Sequence, residues 1–192
     1  MPKKEPGITV AIQAGGRSTR MGVDKSFVHY KGQPMIEIVK DRVAGLGNET
    51  ILICNKDKPY AYLDLPIYAD IYPDSGPLGG IYTALWSARF DHILTVACDM
   101  PWLNRTLLAH LISLKDSADA IVPRWDRFPE PLHAVYSAKC LGPIKEKLQA
   151  EKLKITGFFP DVAVRFVERE EIMHFDPQGR SFTNVNTPGD LI

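Results

Sequence analysis

At 192 residues, with 45% hydrophobic and 24% charged side chains, the chain fits one globular domain with a sizeable core. Its 23 basic and 23 acidic residues cancel to a formal net charge of zero, which argues against bulk attraction to nucleic acid or an anionic membrane, so any positive field has to be local. No apolar run approaches the ~18 residues a membrane helix needs, Met1 to Pro6 lacks the apolar part of a secretion signal, and Cys54, Cys98 and Cys140 show no C-x-x-C spacing. The expectation is a single cytoplasmic domain over residues 1–192, loose at 1–7, with buried thiols and neither a disulfide framework nor a zinc site.

The β-branched run Ile8 to Ile12 predicts a strand that stops at Gly15-Gly16 and opens into a loop carrying Arg17, Arg20 and Lys25. Adjacent glycines let an anion approach the backbone N–H groups, Arg20 offers a planar fork for phosphate oxygens, and Lys25 a compact charge. The loop spells neither G-x-x-x-x-G-K-[ST] nor G-x-G-x-x-G, and a plain tight turn would also suit two glycines. A helix follows from Pro34 to about Leu46, with Ile36, Val39, Val43 and Leu46 on one face. Thr50 to Cys54 reads as a buried parallel strand with Asn55 at its carboxyl end, and Ile67 to Ala69 as a short strand tipped by Asp70.

Asp74 to Gly80 predicts a rigid turn whose glycines admit another molecule, leading into a helix with Ile81, Leu85 and Trp86. Ile93 to Ala97 is the clearest strand, and Asp99 just beyond it stands where open α/β folds bind ligands. A carboxylate there, beside a phosphate loop, suits Mg²⁺, which takes one or two carboxylates plus substrate phosphates. Asn104 is placed to cap a helix through about Leu114. After a strand at Ala120 to Pro123, Arg124 to His133 mixes aromatic, cationic and proline residues in a loop, with His133 a satisfied histidine opening the strand Ala134 to Tyr136. A charged, solvated helix spans Leu141 to about Lys154, and a late strand Val162 to Val167. This alternation predicts an α/β, Rossmann-like three-layer sandwich with a mostly parallel central sheet.

Ala14 to Ser26, AGGRSTRMGVDKS, resembles L-A-G-G-x-x-x-R-M-G-x-D-K, the signature of the nucleotidyltransferases that activate sugar phosphates and cofactors. Its Met-Gly-x-Asp-Lys ending is most similar to the molybdenum cofactor guanylyltransferases. Asp74 to Gly80 resembles that family's D-x-G-P-L-x-G, Cys98 to Pro101 its C-D-x-P, and Asn184 to Leu191 its closing N-x-N-T-P-x-D-L; Pro131-Leu132-His133 matches a His-Pro-like stretch only loosely. The resemblance implies a nucleotide-diphospho-sugar transferase-like fold, with nucleotide contacts at Gln13, Ala14, Gly15, Gly16, Lys25, Asn55, Asp70 and Asp99. Gln13 stands where the family has leucine, near the base. Arg20, Lys25 and Asp99 would be catalytic, and Asp99 the Mg²⁺ ligand. The acceptor would meet Gly76, Pro77, Leu78, Gly79 and Gly80, with Asn184 and Asn186 returning to the rim.

By the same resemblance, the reaction joins GTP to a molybdopterin-type cofactor, yielding the guanine dinucleotide form and pyrophosphate, with cofactor-biosynthesis or molybdoenzyme delivery proteins as partners. The acceptor phosphate is already ionised near neutral pH, so alignment and charge neutralisation are the main tasks. A cytidylyltransferase, or an enzyme for another phosphorylated small molecule, fits the same residues. A non-catalytic nucleotide-binding protein fits less well, since binding alone would tolerate losing Lys25 or Asp99, and an oxidoreductase lacks its glycine pattern.

Overall fold

The computed structural model describes residues 4–14, 29–54 and 60–185. One eight-stranded sheet forms the centre. β1 (Glu5–Gln13) lies between β4 (Glu49–Ile53) and β6 (Phe90–Ala97), both parallel to it, and β5 (Ile67–Tyr68) extends the β4 side. Beyond β6 come β9 (His133–Ser137), β7 (Ala120–Trp125) and β10 (Val164–Val167). β9 runs antiparallel to both neighbours, and β10 parallel to β7. The chain thus visits β4 and β5 on one side of β1, then returns to β6 on the other, which creates a crevice at the carboxyl ends of β1, β4 and β6. A two-stranded ribbon, β2 (His29–Tyr30) with β3 (Gln33–Pro34), precedes the first helix.

Alternation along the strands builds two cores. Ile8, Val10, Ile12, Leu94, Val96 and Val135 face α1 (Met35–Val43), α3 (Arg105–Ser113) and the short α5 (Arg169–Ile172). Ala11, Ile51, Ile53, Ile93, Ala134 and Tyr136 face α2 (Gly76–Ser87) and α4 (Leu141–Gln149). This period of two, with helices on both faces, is the three-layer arrangement expected. In α1 the apolar spacing buries Ile36, Val39 and Val43 as expected. In α3 Asn104 accepts the N–H groups of Thr106 and Leu107 at 3.0 and 3.1 Å, satisfying two donors that a helix start leaves unpaired.

Several elements differ from expectation. β1 begins at Glu5, inside the stretch expected to be loose. Gly76 to Gly80 is not a turn but the start of α2, with Pro77 in its first turn, where a missing N–H costs no helical bond. The expected loop from Arg124 is a hairpin: β7 continues to Trp125 and pairs with β8 (Phe128–Pro129). Its two-residue turn places Asp126 and Arg127 at φ 46° and 73°, the left-handed region such hairpins use. α4 stops at Gln149, two residues before Glu151 at φ 54°. Of the three thiols, Cys54 and Cys140 are buried and Cys98 is half-exposed.

Candidate active site

The sheet's hydrogen bonding continues past the strands and fixes the crevice. The N–H of Cys98 donates to the carbonyl of Gln13 at 3.0 Å, that of Ala14 to Ile53 at 2.8 Å, and that of Cys54 to Tyr68 at 3.0 Å. Ala14, Cys54 and Cys98 therefore stand side by side at one edge, with Asp99 and Asp70 just beyond β6 and β5. Burial pushes the Asp70 carboxyl above its ordinary range, against the Thr83 hydroxyl, which pulls it down; its Oδ1 is buried without a hydrogen-bond partner. A buried acceptor of that kind is short of a donor that a ligand can supply.

α2 starts at the same edge, because it follows β5. No side chain caps it, and Gly76 and Pro77 are exposed there, so its first N–H groups and positive dipole end face the crevice side. Leu78, Gly79 and Gly80, expected to meet the acceptor, are instead buried, with Leu78 in the core against the sheet. Of these five residues, only Gly76 and Pro77 are exposed.

The Gln13 side chain, expected near the base, turns inward. It is 7% exposed and donates to the Thr95 hydroxyl at 3.2 Å, under α2. A Cβ on Gly80 would lie 2.1 Å from Gln13 Oε1, so the glycine is what lets this amide fit. Gly80→Ala is expected to destabilise the protein by about 1–2 kcal/mol by displacing Gln13 from a buried hydrogen bond. In a Gln13→Ala background the same change gains up to about 1 kcal/mol from helix propensity. Denaturant melts of the four proteins check this reversal of sign.

The chain's late segment reaches the crevice from outside the sheet. Asp176, itself buried, accepts the N–H groups of Arg180 at 3.2 Å and Ser181 at 2.8 Å. The Ser181 hydroxyl accepts the N–H of Asn104 at 3.0 Å, and the N–H of Val185 donates to the carbonyl of Asp99 at 2.9 Å. Asn184 is thereby held next to a residue bonded to the Asp99 turn. Arg180 lies over the Trp102 ring at 5.6 Å, and Trp102 Nε1 donates to the Tyr30 hydroxyl at 3.4 Å. Asp99, Trp102 and Asn104 are thus zipped to residues 180–185.

Gly15, Gly16, Arg20, Lys25, Asn55 and Asn186 lie outside the described residues. Of the expected site, the structure brings Ala14, Asp70, Gly76, Pro77, Asp99 and Asn184 to one edge, with Gln13 directed inward. Sequence reasoning did not single out Glu130, a half-buried carboxylate in the turn that opens β9. It also read His133 as satisfied, whereas both ring nitrogens are buried without partners, edge-on to Phe182 at 4.9 Å. A strand-opening histidine gives no sequence signal of whether its ring finds a partner.

A carboxyl-edge crevice with a phosphate-type glycine segment after β1 and a carboxylate after the neighbouring strand defines a nucleotidyltransferase of the nucleotide-diphospho-sugar transferase fold. Residues 10–157 match the MobA-like NTP transferase domain, and the chain belongs to that family. A relative from Pelotomaculum thermopropionicum, named a "Probable molybdenum cofactor guanylyltransferase", is 36% identical over 96% of this chain and 90% of its own. The "Molybdenum cofactor guanylyltransferase" of Syntrophotalea carbinolica is 32% identical over 95% and 88%. Among solved structures, the molybdopterin-guanine dinucleotide biosynthesis protein A of Archaeoglobus fulgidus superposes with a TM-score of 0.83 at 28% identity, covering 95% of this chain and 94% of its own.

Proposed function

We propose that this enzyme transfers GMP from GTP to the phosphate of a molybdopterin-type cofactor, forming the guanine dinucleotide and pyrophosphate in the cytoplasm, where GTP is available. The observation that carries the reading is the placement of Asp99, whose turn is bonded to the end of β1 on one side and to residues 181–185 on the other.

The family's divalent metal, in this reading Mg²⁺, fits the donor set. Among the described residues no three His, Cys, Asp or Glu side chains gather as a closed metal cage would require. One carboxylate, that of Asp99, completed by triphosphate oxygens is the arrangement Mg²⁺ prefers. When bound, the metal would screen the triphosphate and polarise its α-phosphoryl group. Asp99 would hold the metal, while the backbone at Ala14, Gly15 and Gly16 would receive the phosphates.

Arg20 and Lys25 would offset the charge that gathers as the acceptor oxygen approaches. Asp70 and Asn55 would hold the nucleoside, the former filling the empty hydrogen-bonding position at Oδ1. The start of α2 at Gly76 and Pro77, with Asn184 and Asn186, would orient the acceptor phosphate. No general base is needed, because that phosphate is already ionised, and positioning supplies most of the rate.

The test is pyrophosphate release with Mg²⁺ and molybdenum cofactor, comparing GTP, CTP and ATP. Release with GTP at least tenfold above the others is the expected result. Preference for CTP would reassign the product and keep the chemistry, whereas no release with any nucleotide would overturn the acceptor.

A further inference from the structure

The chain carries no net charge, so a positive field has to be built locally, and one stands beside the Asp99 turn. Trp102, three residues after Asp99, is touched by two other segments. Tyr30 meets the indole edge-on at 5.7 Å and accepts its N–H at 3.4 Å. That tyrosine lies in β2, the first described element after the segment that carries Gly15, Gly16, Arg20 and Lys25. Arg180 places its guanidinium 5.6 Å from the centre of the same indole ring. Residues 181–185 run beside 99–104, because Ser181 is bonded to Asn104 and Val185 to Asp99. Three residues span at most ~10 Å, so Arg180 and Trp102 flank the carboxylate that follows β6.

Arg180 is fixed at its root and unpaired at its tip. Its N–H donates to the buried carboxylate of Asp176 at 3.2 Å. Gly179 before it, at φ 63°, lies so close to Trp125 that a Cβ there would come within 2.2 Å of that indole. Arg180 is exposed, and its guanidinium makes no salt bridge or hydrogen bond with a described residue, whereas Arg124 and Arg169 are paired with Glu168 and Asp126. The Lys31 ammonium, also exposed and in no salt bridge with a described residue, lies 5.3 Å from the centre of the Tyr30 ring. The indole hydrogen bond, and after it the charges of Lys31 and Arg180, hold the Tyr30 hydroxyl below its ordinary range. Two cations around one pair of rings, neither neutralised by a described carboxylate, form a receptor for an anion.

We infer that Arg180 binds the phosphate group of the acceptor. This rests on the guanylyl-transfer reading, in which the acceptor is a phosphate monoester. Such a group is close to doubly charged at neutral pH and has to approach a triphosphate against like charge. The partners assigned to it above, the start of α2 and the amides of Asn184 and Asn186, are neutral, while Arg20, Lys25 and the metal serve the triphosphate. Arg180 precedes Asn184 by four residues in the same anchored segment and supplies a full charge, in a planar fork that fits two phosphate oxygens. The indole beneath it restricts the guanidinium, so less freedom is lost when the phosphate arrives.

The probe for the site alone is inorganic phosphate, titrated at low salt with a chelator present and followed by tryptophan fluorescence. Wild type should give a saturable change that disappears in Trp102→Phe. Arg180→Gln should weaken it by about tenfold or more, and Arg180→Lys should restore part of it, since a point charge keeps the attraction without the fork. In turnover, Arg180→Gln should raise the acceptor KM by about tenfold or more with the GTP KM within about twofold, and Arg180→Lys should fall between. Both variants should melt with wild type, because only the backbone of Arg180 is hydrogen-bonded to the fold.

An acceptor KM that Arg180→Gln leaves unchanged would overturn the proposal. If the GTP KM rises in its place, the guanidinium serves the triphosphate or the departing pyrophosphate. Phosphate binding that depends on Arg180, together with no turnover of GTP and molybdenum cofactor, would instead uphold the anion site and sink the guanylyl-transfer reading.

Discussion

Asp99→Asn should lower turnover on the order of 10³-fold or more while leaving the melting temperature within a few degrees of wild type. The side chain keeps its volume and loses the charge that would hold the metal against the triphosphate, and charge stabilisation at the reacting phosphorus is the largest contribution such a site offers. The fold should survive because the bonds that fix the turn are made by backbone: Cys98 N–H to Gln13, and the Asp99 carbonyl to Val185. GTP should bind more weakly in Mg²⁺ and equally in its absence, when titrated by calorimetry with and without chelator. Near-normal turnover by the variant would remove Asp99 from catalysis and leave the crevice without its metal ligand.

Between pH 7 and pH 5 the protein should lose about 2 kcal/mol of stability through His133 alone. The ring is wholly buried, neither nitrogen has a partner, and burial pulls its pKa from 6.5 to about 4, opposed only in part by the charge of Asp176. The folded protein therefore keeps His133 neutral while the unfolded chain takes up a proton below pH 6.5. Stability falls with pH across that window and levels off near pH 4, at a total of about 3 kcal/mol. His133→Leu should flatten this part of the acid limb and match or exceed wild type at pH 7.5, since it removes two buried unsatisfied atoms and keeps an apolar contact with Phe182. Urea melts at pH 7.5, 6, 5 and 4.5 measure both, and equal slopes in the two proteins would place the acid sensitivity elsewhere.

The parallel half of the molecule was legible because its residues carry one message each. Ile8 to Ile12 and Ile93 to Ala97 are apolar β-branched runs that suit strands buried on both faces, and Asn104 has one efficient use just before an apolar helical period. The antiparallel half was harder. β9 runs opposite to its neighbours through a hairpin whose turn, Asp126-Arg127, lacks the Asn-Gly chemistry that advertises such a connection. Glycines at 76, 79 and 80 looked like loop punctuation, yet at 79 and 80 they are helical positions where a side chain would press on Tyr72, Ser75 or Gln13. Close approach between elements, not turn geometry, explains them, and no local window of sequence contains that information.

At the site, the residues beside strand ends could be named from the chain because strand ends are sequence features. Which side chains turn inward could not: Gln13 answers to Thr95 on another strand, and the His133 ring is notable only for the partners it lacks. Both facts are products of tertiary neighbours.

The zip between residues 99–104 and 181–185 also sets an order of events during synthesis. β1, β4 and β6, with the Asp99 turn, emerge from the ribosome and can pair while the last part of the chain is still inside it. The bonds from Val185 to Asp99 and from Asn104 to Ser181 join positions 86 and 77 residues apart, and they form only at the end. A nascent chain thus has its first parallel strands before the rim is tied to the Asp99 turn, so the contacts between residues 99–104 and 181–185 close after the strands they lie against.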